Sequence, residues 1–156
     1  MTPALFLDRD GVVNVEKNYV YRAEDIDFIE PIFEICRKYQ GKGFKIFIIT
    51  NQAGIARGYY SEDDFLKLTR WIEVEFAQRG IDIIKTYFCP HHPEFTGECP
   101  CRKPNPGMIL KAKNEFDLDL ENSVLIGDKQ SDIDAGINAG IKQNYFLWDL
   151  IKENRK

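Results

Sequence analysis

The 156-residue sequence contains no apolar run long enough to span a bilayer, and its N-terminus lacks the charged, apolar and small-residue succession of a secretory leader. Both absences point to the cytoplasm. Basic charge is not in excess either. The formal charge of −4 supplies no field for a nucleic acid, and no basic, aromatic-lined groove for single strands is evident. Repeats and low-complexity segments are missing, so the chain is no solenoid or linker. Disulfide-like cysteine spacing is also missing. Cys36 stands alone in a helical pattern and reads as a small core residue, while Cys89, Cys99 and Cys101 share one short stretch with the only two histidines. In a reducing compartment that clustering argues for a metal rather than for disulfides.

What is present describes a globular protein: 44% hydrophobic and 29% charged residues, in a length that suits one core and not two. Short apolar runs alternate with amphipathic stretches. Strands are expected at Ala4 to Leu7, Lys45 to Thr50, Ile84 to Phe88, Ser123 to Ile126 and Tyr145 to Trp148. Helices are expected from Pro31 to Tyr39, from an N-cap at Ser61 to a stop near Gly80, from Pro106 through Phe116, and through Ile133 and Ile137 to Gly140. This alternation predicts a single doubly wound α/β domain over residues 1–150, a parallel sheet with helices on both faces, followed by a solvated tail at 151–156.

Such sheets bind ligands beyond the carboxyl ends of their strands, where strand order reverses. Three predicted strands end in polar residues: Asp8-Arg9-Asp10-Gly11, Thr50-Asn51-Gln52 and Gly127-Asp128-Lys129. Converging carboxylates with few basic partners invite a hard divalent cation such as magnesium. One of them can then attack a phosphoryl group while a second carboxylic acid protonates the leaving alcohol. Asp8 and Asp10 offer nucleophile and acid/base, Thr50, Asn51 and Lys103 offer donors for the phosphoryl oxygens, and Asp128 offers a metal carboxylate.

The same residues carry a family resemblance. The runs Leu7-Asp8-Arg9-Asp10-Gly11-Val12-Val13-Asn14, Thr50-Asn51-Gln52, Arg102-Lys103-Pro104 and Gly127-Asp128-Lys129-Gln130-Ser131-Asp132 resemble, in order, the four motifs of the haloacid dehalogenase (HAD) superfamily. The likeness spans nearly the whole chain. It implies an aspartyl-phosphate intermediate on Asp8, general acid/base catalysis by Asp10, and phosphoryl contacts from Thr50 and Lys103. It also implies magnesium held by Asp8, the backbone carbonyl of Asp10, and Asp128. Asp132 either supports the metal's waters or caps the following helix.

Cys89-Pro90-His91-His92 and Cys99-Pro100-Cys101 offer three thiolates and an imidazole, the donor set of a closed, structural zinc site. Spacing alone leaves His91 and His92 nearly even; the resemblance favours Cys89, His91, Cys99 and Cys101. Arg102 and Lys103 follow the last ligand directly, and the planar fork of Arg102 suits an oxyanion.

No cap domain fits between Asp10 and Thr50, so selectivity must come from loops. Within the superfamily, DRDGVVN, TNQAGIARGYY, CPHHP and CRKPNPGM most resemble the capless, zinc-loop phosphatases of heptose 1,7-bisphosphate. That likeness implies substrate contacts from Glu16, Lys17, Asn18, Tyr19, Thr50, Asn51, Gln52, Ala53, Arg102, Lys103 and Lys129. It also implies removal of a sugar 7-phosphate in the synthesis of heptose precursors for lipopolysaccharide and other surface glycans. Histidinol phosphate or another sugar phosphate is the alternative substrate, and a non-catalytic phosphometabolite-binding module the alternative of a different class. Lys129 either reaches substrate or pairs with nearby carboxylates. A monomer is expected.

Overall fold

The computed structural model describes residues 1–154. Five strands, β1 (Ala4–Leu7), β2 (Lys45–Asn51), β3 (Ile83–Cys89), β4 (Val124–Gly127) and β5 (Gln143–Phe146), form one fully parallel sheet in the order β3-β2-β1-β4-β5. The chain builds outward from β1 to β3 and then returns to the other side of β1. The reversal therefore falls between β1 and β4, where a doubly wound sheet opens its crevice.

Side-chain alternation divides the core in two. Leu5, Leu7, Ile46, Ile48, Val124 and Ile126 face helices α1 (Pro31–Gly41) and α3 (Glu62–Gln78), whose Ile32, Cys36, Leu68, Ile72 and Phe76 are buried against them. Ala4, Phe6, Phe47, Ile49 and Leu125 face the opposite layer, made by α5 (Gly107–Phe116) and α6 (Gln130–Ala139). The central strands are thus apolar on both faces, which is why they read as unbroken hydrophobic runs. As expected, Cys36 lies in the first of these layers, and burial pushes its thiol up to about 12, so it is inert.

Two single-turn helices occur where loops were expected: α2 (Ala53–Ala56) after β2, and α4 (Pro93–Thr96) inside the cysteine–histidine loop. Periods of four residues are too short for a hydrophobic repeat to report. The fifth strand lies two residues earlier than expected. Leu147 and Trp148 open a further helix, α7 (Leu147–Asn154), in which Leu147 is buried and Leu150 and Ile151 pack on the first core layer. Part of the expected tail is therefore helical and docked, while residues 155 and 156 lie outside the described residues. No helix among those described is long and apolar enough to cross a membrane.

Candidate active site

Strand β1 delivers Asp8 to the crevice. Its backbone N–H donates to the Ile126 carbonyl of β4 at 3.1 Å, so the sheet fixes the residue even though its side chain projects past the strand end. The carboxylate accepts from the Arg9 N–H and from Lys103 Nζ, both at 2.9 Å. The same ammonium meets Asp132 Oδ1 at 2.5 Å and donates to the Ile49 carbonyl at 3.1 Å. Asp8, Lys103 and Asp132 are all buried, at 8%, 4% and 3% exposure, so two carboxylates share one counter-charge out of water. Burial pushes the Asp8 carboxyl up to about 7 against the pull of Lys103, with Asp132 and Asp10 adding repulsion. Asp132 goes the other way. Burial would raise it, but Lys103 and the N–H groups of Asp128 and Lys129 outweigh burial and hold it below the ordinary range. Its Oδ2 accepts from both N–H groups, at 2.9 and 3.0 Å, so Asp132 caps the start of α6 and at the same time faces Lys103.

Asp10 is tied down on every side. Arg9, 1% exposed, donates through its NH2 to both carboxylate oxygens at 3.0 Å, Asn14 donates to Oδ1 at 3.0 Å, and Gln52 Nε2 donates to Oδ2 at 3.2 Å. Arg9 is anchored in turn to the Val20 carbonyl at 2.7 Å and lies over the Phe65 ring. The loop from Arg9 to Asn14 closes on itself, the Arg9 carbonyl accepting from the N–H groups of Val12, Val13 and Asn14. Gly11, with φ of +93°, is required there twice over: its backbone is left-handed, and any Cβ would run into the Asp128 carboxylate. Its missing side chain is what lets the Asp128 carboxylate, just past the end of β4, lie against the loop that follows β1. Burial and Asp132 push the Asp128 carboxyl upward.

Asp8, Asp10, Glu16, Asn51, Ala53, Arg102, Lys103 and Lys129 line one cleft of about 410 Å³, joined by Pro104, Ser131 and Asp132. Most of the expected substrate contacts are thus brought together. Others are not. Thr50 is 1% exposed and Gln52 3%, and both are buried beside the residues that line the cleft, Gln52 Nε2 donating to Thr50 Oγ1 at 2.8 Å. Lys17 turns away to pair with Asp27 at 2.5 Å. Asn18 and Tyr19 adopt left-handed backbone and are exposed, and the Tyr19 ring packs edge-on against Tyr59. Asn51 clamps the backbone of Lys103, accepting from its N–H at 3.0 Å and donating to its carbonyl at 3.3 Å. Sequence reasoning missed Arg9, Asn14 and Tyr60 as parts of this site. Arg9 carried a signal, since an arginine between two site acids has a ready partner.

The donor atoms of Cys89, His91, Cys99 and Cys101 all lie within 4.8 Å of one another, with His91 presenting Nδ1. The cysteines form no disulfide. Burial raises Cys99, but hydrogen bonds from Cys101 and Cys89 outweigh it and bring the thiol down to about 7. Burial raises Cys89 and Cys101 instead, and three thiols beside an imidazole are the donor set of a soft or borderline cation. Position resolves the two histidines. His92 is engaged elsewhere, capping α4 through Nδ1 from the Glu94 N–H at 3.1 Å and meeting Arg57 through Nε2 at 3.3 Å. Arg102, which donates to the His91 carbonyl at 3.3 Å, connects this cluster to the cleft.

The HAD-hydrolase-like family pattern matches residues 100–144. Over 140 residues the chain is 56% identical to the D-glycero-alpha-D-manno-heptose-1,7-bisphosphate 7-phosphatase of Campylobacter jejuni, covering 90% of this chain and 79% of that protein. The chain belongs to this HAD-type phosphatase family. A second member, the D-glycero-beta-D-manno-heptose-1,7-bisphosphate 7-phosphatase of Yersinia pestis, is 46% identical over 144 residues, 89% of this chain and 77% of that one. The D,D-heptose 1,7-bisphosphate phosphatase of B. bronchiseptica, solved with magnesium and phosphate, superposes with a TM-score of 0.83 at 27% identity, covering 92% of this chain and 79% of its own. As a HAD phosphatase the protein is a phosphoric monoester hydrolase, and magnesium is the cation that such enzymes use.

Proposed function

We propose that the protein removes the 7-phosphate of D-glycero-D-manno-heptose 1,7-bisphosphate by transfer to Asp8 and then to water. The observation that carries this reading is the pairing of Asp8 with a buried lysine at the β1/β4 crevice, with a second carboxylate two residues further on. The names of the relatives supply the substrate.

In this reading Asp8 attacks phosphorus in line with the leaving oxygen, forming an acyl phosphate and breaking the P–O bond to the sugar. Asp10 gives its proton to the departing alkoxide. It then takes a proton from the water that attacks the acyl phosphate, which returns Asp8 and frees inorganic phosphate. Lys103 contacts the phosphoryl oxygens, Asn51 holds the Lys103 backbone for that contact, and Thr50 joins it by turning its hydroxyl proton from the Asn51 carbonyl toward the phosphate. The donor set fits a hard divalent cation, because Asp8 and Asp128 offer carboxylate oxygens that burial, the chief cause of their upward shifts, deprives of water. Magnesium held by Asp8, Asp128 and the Asp10 carbonyl would screen the repulsion between carboxylate and phosphate. Arg102 and Lys129 recognise the rest of the substrate, including its second phosphate. Cys89, His91, Cys99 and Cys101 would hold a structural zinc, which would fix the loop that carries Arg102. The protein acts as a cytoplasmic monomer, in the supply of heptose for surface polysaccharides.

The test is magnesium-dependent phosphate release from both heptose bisphosphate anomers, beside histidinol phosphate and an aryl phosphate. Both anomers belong in the assay because the relatives are named for both. One heptose anomer is expected to dominate, and Asp8→Asn is expected to lose on the order of 10³-fold or more in kcat. Retention of most of the activity by that variant would exclude covalent catalysis at Asp8. Preference for histidinol phosphate would overturn the substrate.

A further inference from the structure

Gln52 does not line the cleft, but it bonds two side chains to which the phosphatase reading gives roles, Asp10 and Thr50. Its Nε2 donates both to Asp10 Oδ2, at 3.2 Å, and to Thr50 Oγ1, at 2.8 Å, while its Oε1 accepts from the Tyr60 hydroxyl. All three polar ends of the amide are therefore engaged, and the direction of each bond can be worked out. An ionised carboxylate only accepts, so the NH2 end must face Asp10; the carbonyl end must then face Tyr60, and Tyr60 must donate. The second N–H fills an acceptor position on Thr50 Oγ1, which leaves the threonine proton to point elsewhere. It donates to the Asn51 carbonyl at 3.4 Å, a long bond that a better acceptor can displace.

We infer that Tyr60, acting through Gln52, is a positioning residue that makes Thr50 a hydrogen-bond donor toward the transferring phosphoryl group and holds Asp10 in line. This rests on the phosphatase reading above. The need for such a device arises from the reaction itself. An unrestrained amide could turn over, and the flipped Oε1 would then face Thr50 and draw its proton away from the phosphate. The Tyr60 hydroxyl opposes the flip by requiring an acceptor where Oε1 stands. The surroundings are built to hold that hydroxyl still. Tyr60 is 7% exposed and its ring stacks on Tyr21 at 5.2 Å, with 9° between the planes. The Tyr60 ring also lies against Gly54, where any Cβ would collide with it.

Tyr60→Phe keeps the ring and removes only the donor. The zinc- and magnesium-replete variant is expected to lose about tenfold in kcat, the effect of one hydrogen bond, with KM changed less than about twofold and the thermal midpoint lowered by a few degrees for the acceptor left unpaired. In a Gln52→Leu background the same substitution is expected to add less than about twofold, since the connection is already cut. The Gln52 side-chain NH2 resonances supply a readout independent of turnover: protected from exchange in wild type, they should exchange faster in Tyr60→Phe. An unchanged kcat, a purely KM effect, or full multiplication of the two single effects in the double variant would each overturn the role of Tyr60. Wild-type protein that releases no phosphate would instead overturn the phosphatase reading on which it rests.

Discussion

Lys103 neutralises two acids at once, and that makes it the side chain whose loss should be felt most widely. Lys103→Met would leave Asp8 and Asp132 buried side by side with no counter-charge between them. Breaking a buried ion pair from one side typically costs about 3–5 kcal/mol, so metal-free Lys103→Met should unfold at markedly lower urea than wild type. Added magnesium should recover part of that loss, because it restores positive charge beside Asp8. An equal midpoint for the two proteins in urea would show that the carboxylates do not depend on the lysine. The grouping was legible because residue type and strand-end position together report it: Asp8, Asp10 and Lys103 line one cleft, and Asp128 lies just past β4 against Gly11. The direction of Gln52 and Thr50 was not legible. Whether a residue just past a strand faces the crevice or the core depends on turn geometry, here the immediate start of α2, and no local pattern encodes that. The choice between His91 and His92 was even by spacing for the same reason, until the capping of α4 engaged His92.

The loop from Pro90 to Asn105 contains almost nothing buried and only one turn of helix, yet it carries Arg102 and Lys103 to the cleft. Such a segment has little to hold it except a metal. Purified protein is expected to contain one zinc per chain. Chelation or Cys99→Ser should lower the thermal midpoint and open the peptide bonds of this loop to protease before the rest of the chain. Protein without zinc and with an unchanged midpoint would remove the metal from the account. Helix α3 offers a contrast, because its start is written entirely in the sequence. Ser61 and Asp64 form a reciprocal capping box, each side chain accepting from the other's backbone N–H at 3.0 Å. Ser61→Ala should cost about 1 kcal/mol, or roughly 2–4 °C in thermal midpoint at this size. The sign of its pH dependence follows from Asp64, whose carboxyl is held low by the backbone and side-chain hydrogen bonds of Ser61. A depressed carboxylate stabilises above its unfolded value and loses that contribution as pH falls through the folded one. The backbone donor survives Ser61→Ala, so only the smaller, side-chain share of that effect separates the two proteins, and the gap between them should narrow slightly below about pH 4, near the unfolded aspartate value.

As a whole the molecule is one sheet with an apolar layer on each face, and almost all of that was visible in the alternation of strand-like and helix-like runs. The exception is the end of the chain, where Tyr145 to Trp148 read as strand and the last residues as tail. Aromatic residues favour both a strand and the buried side of a short helix, and a run of four cannot separate them. The difference matters for stability, because α7 covers the first core layer beside β5. Leu147 is 3% exposed and Leu150 and Ile151 pack on the same cluster. Burying one such side chain is worth about 1.5–3 kcal/mol, and the two partly buried ones add less each. A chain ending at Phe146 should thus be less stable by roughly 3–5 kcal/mol, a large share of the 5–15 kcal/mol typical of a domain, and should unfold about 6–20 °C lower. A chain ending at Leu150 keeps Leu147 and loses Ile151, and it should fall between the two. If the shorter chain melted with wild type, α7 would be a passenger and 150 would be a fair place to end the domain. If the order is as expected, the domain includes the helix, and the core that holds β1 and β4 together beneath the cleft extends to Ile151.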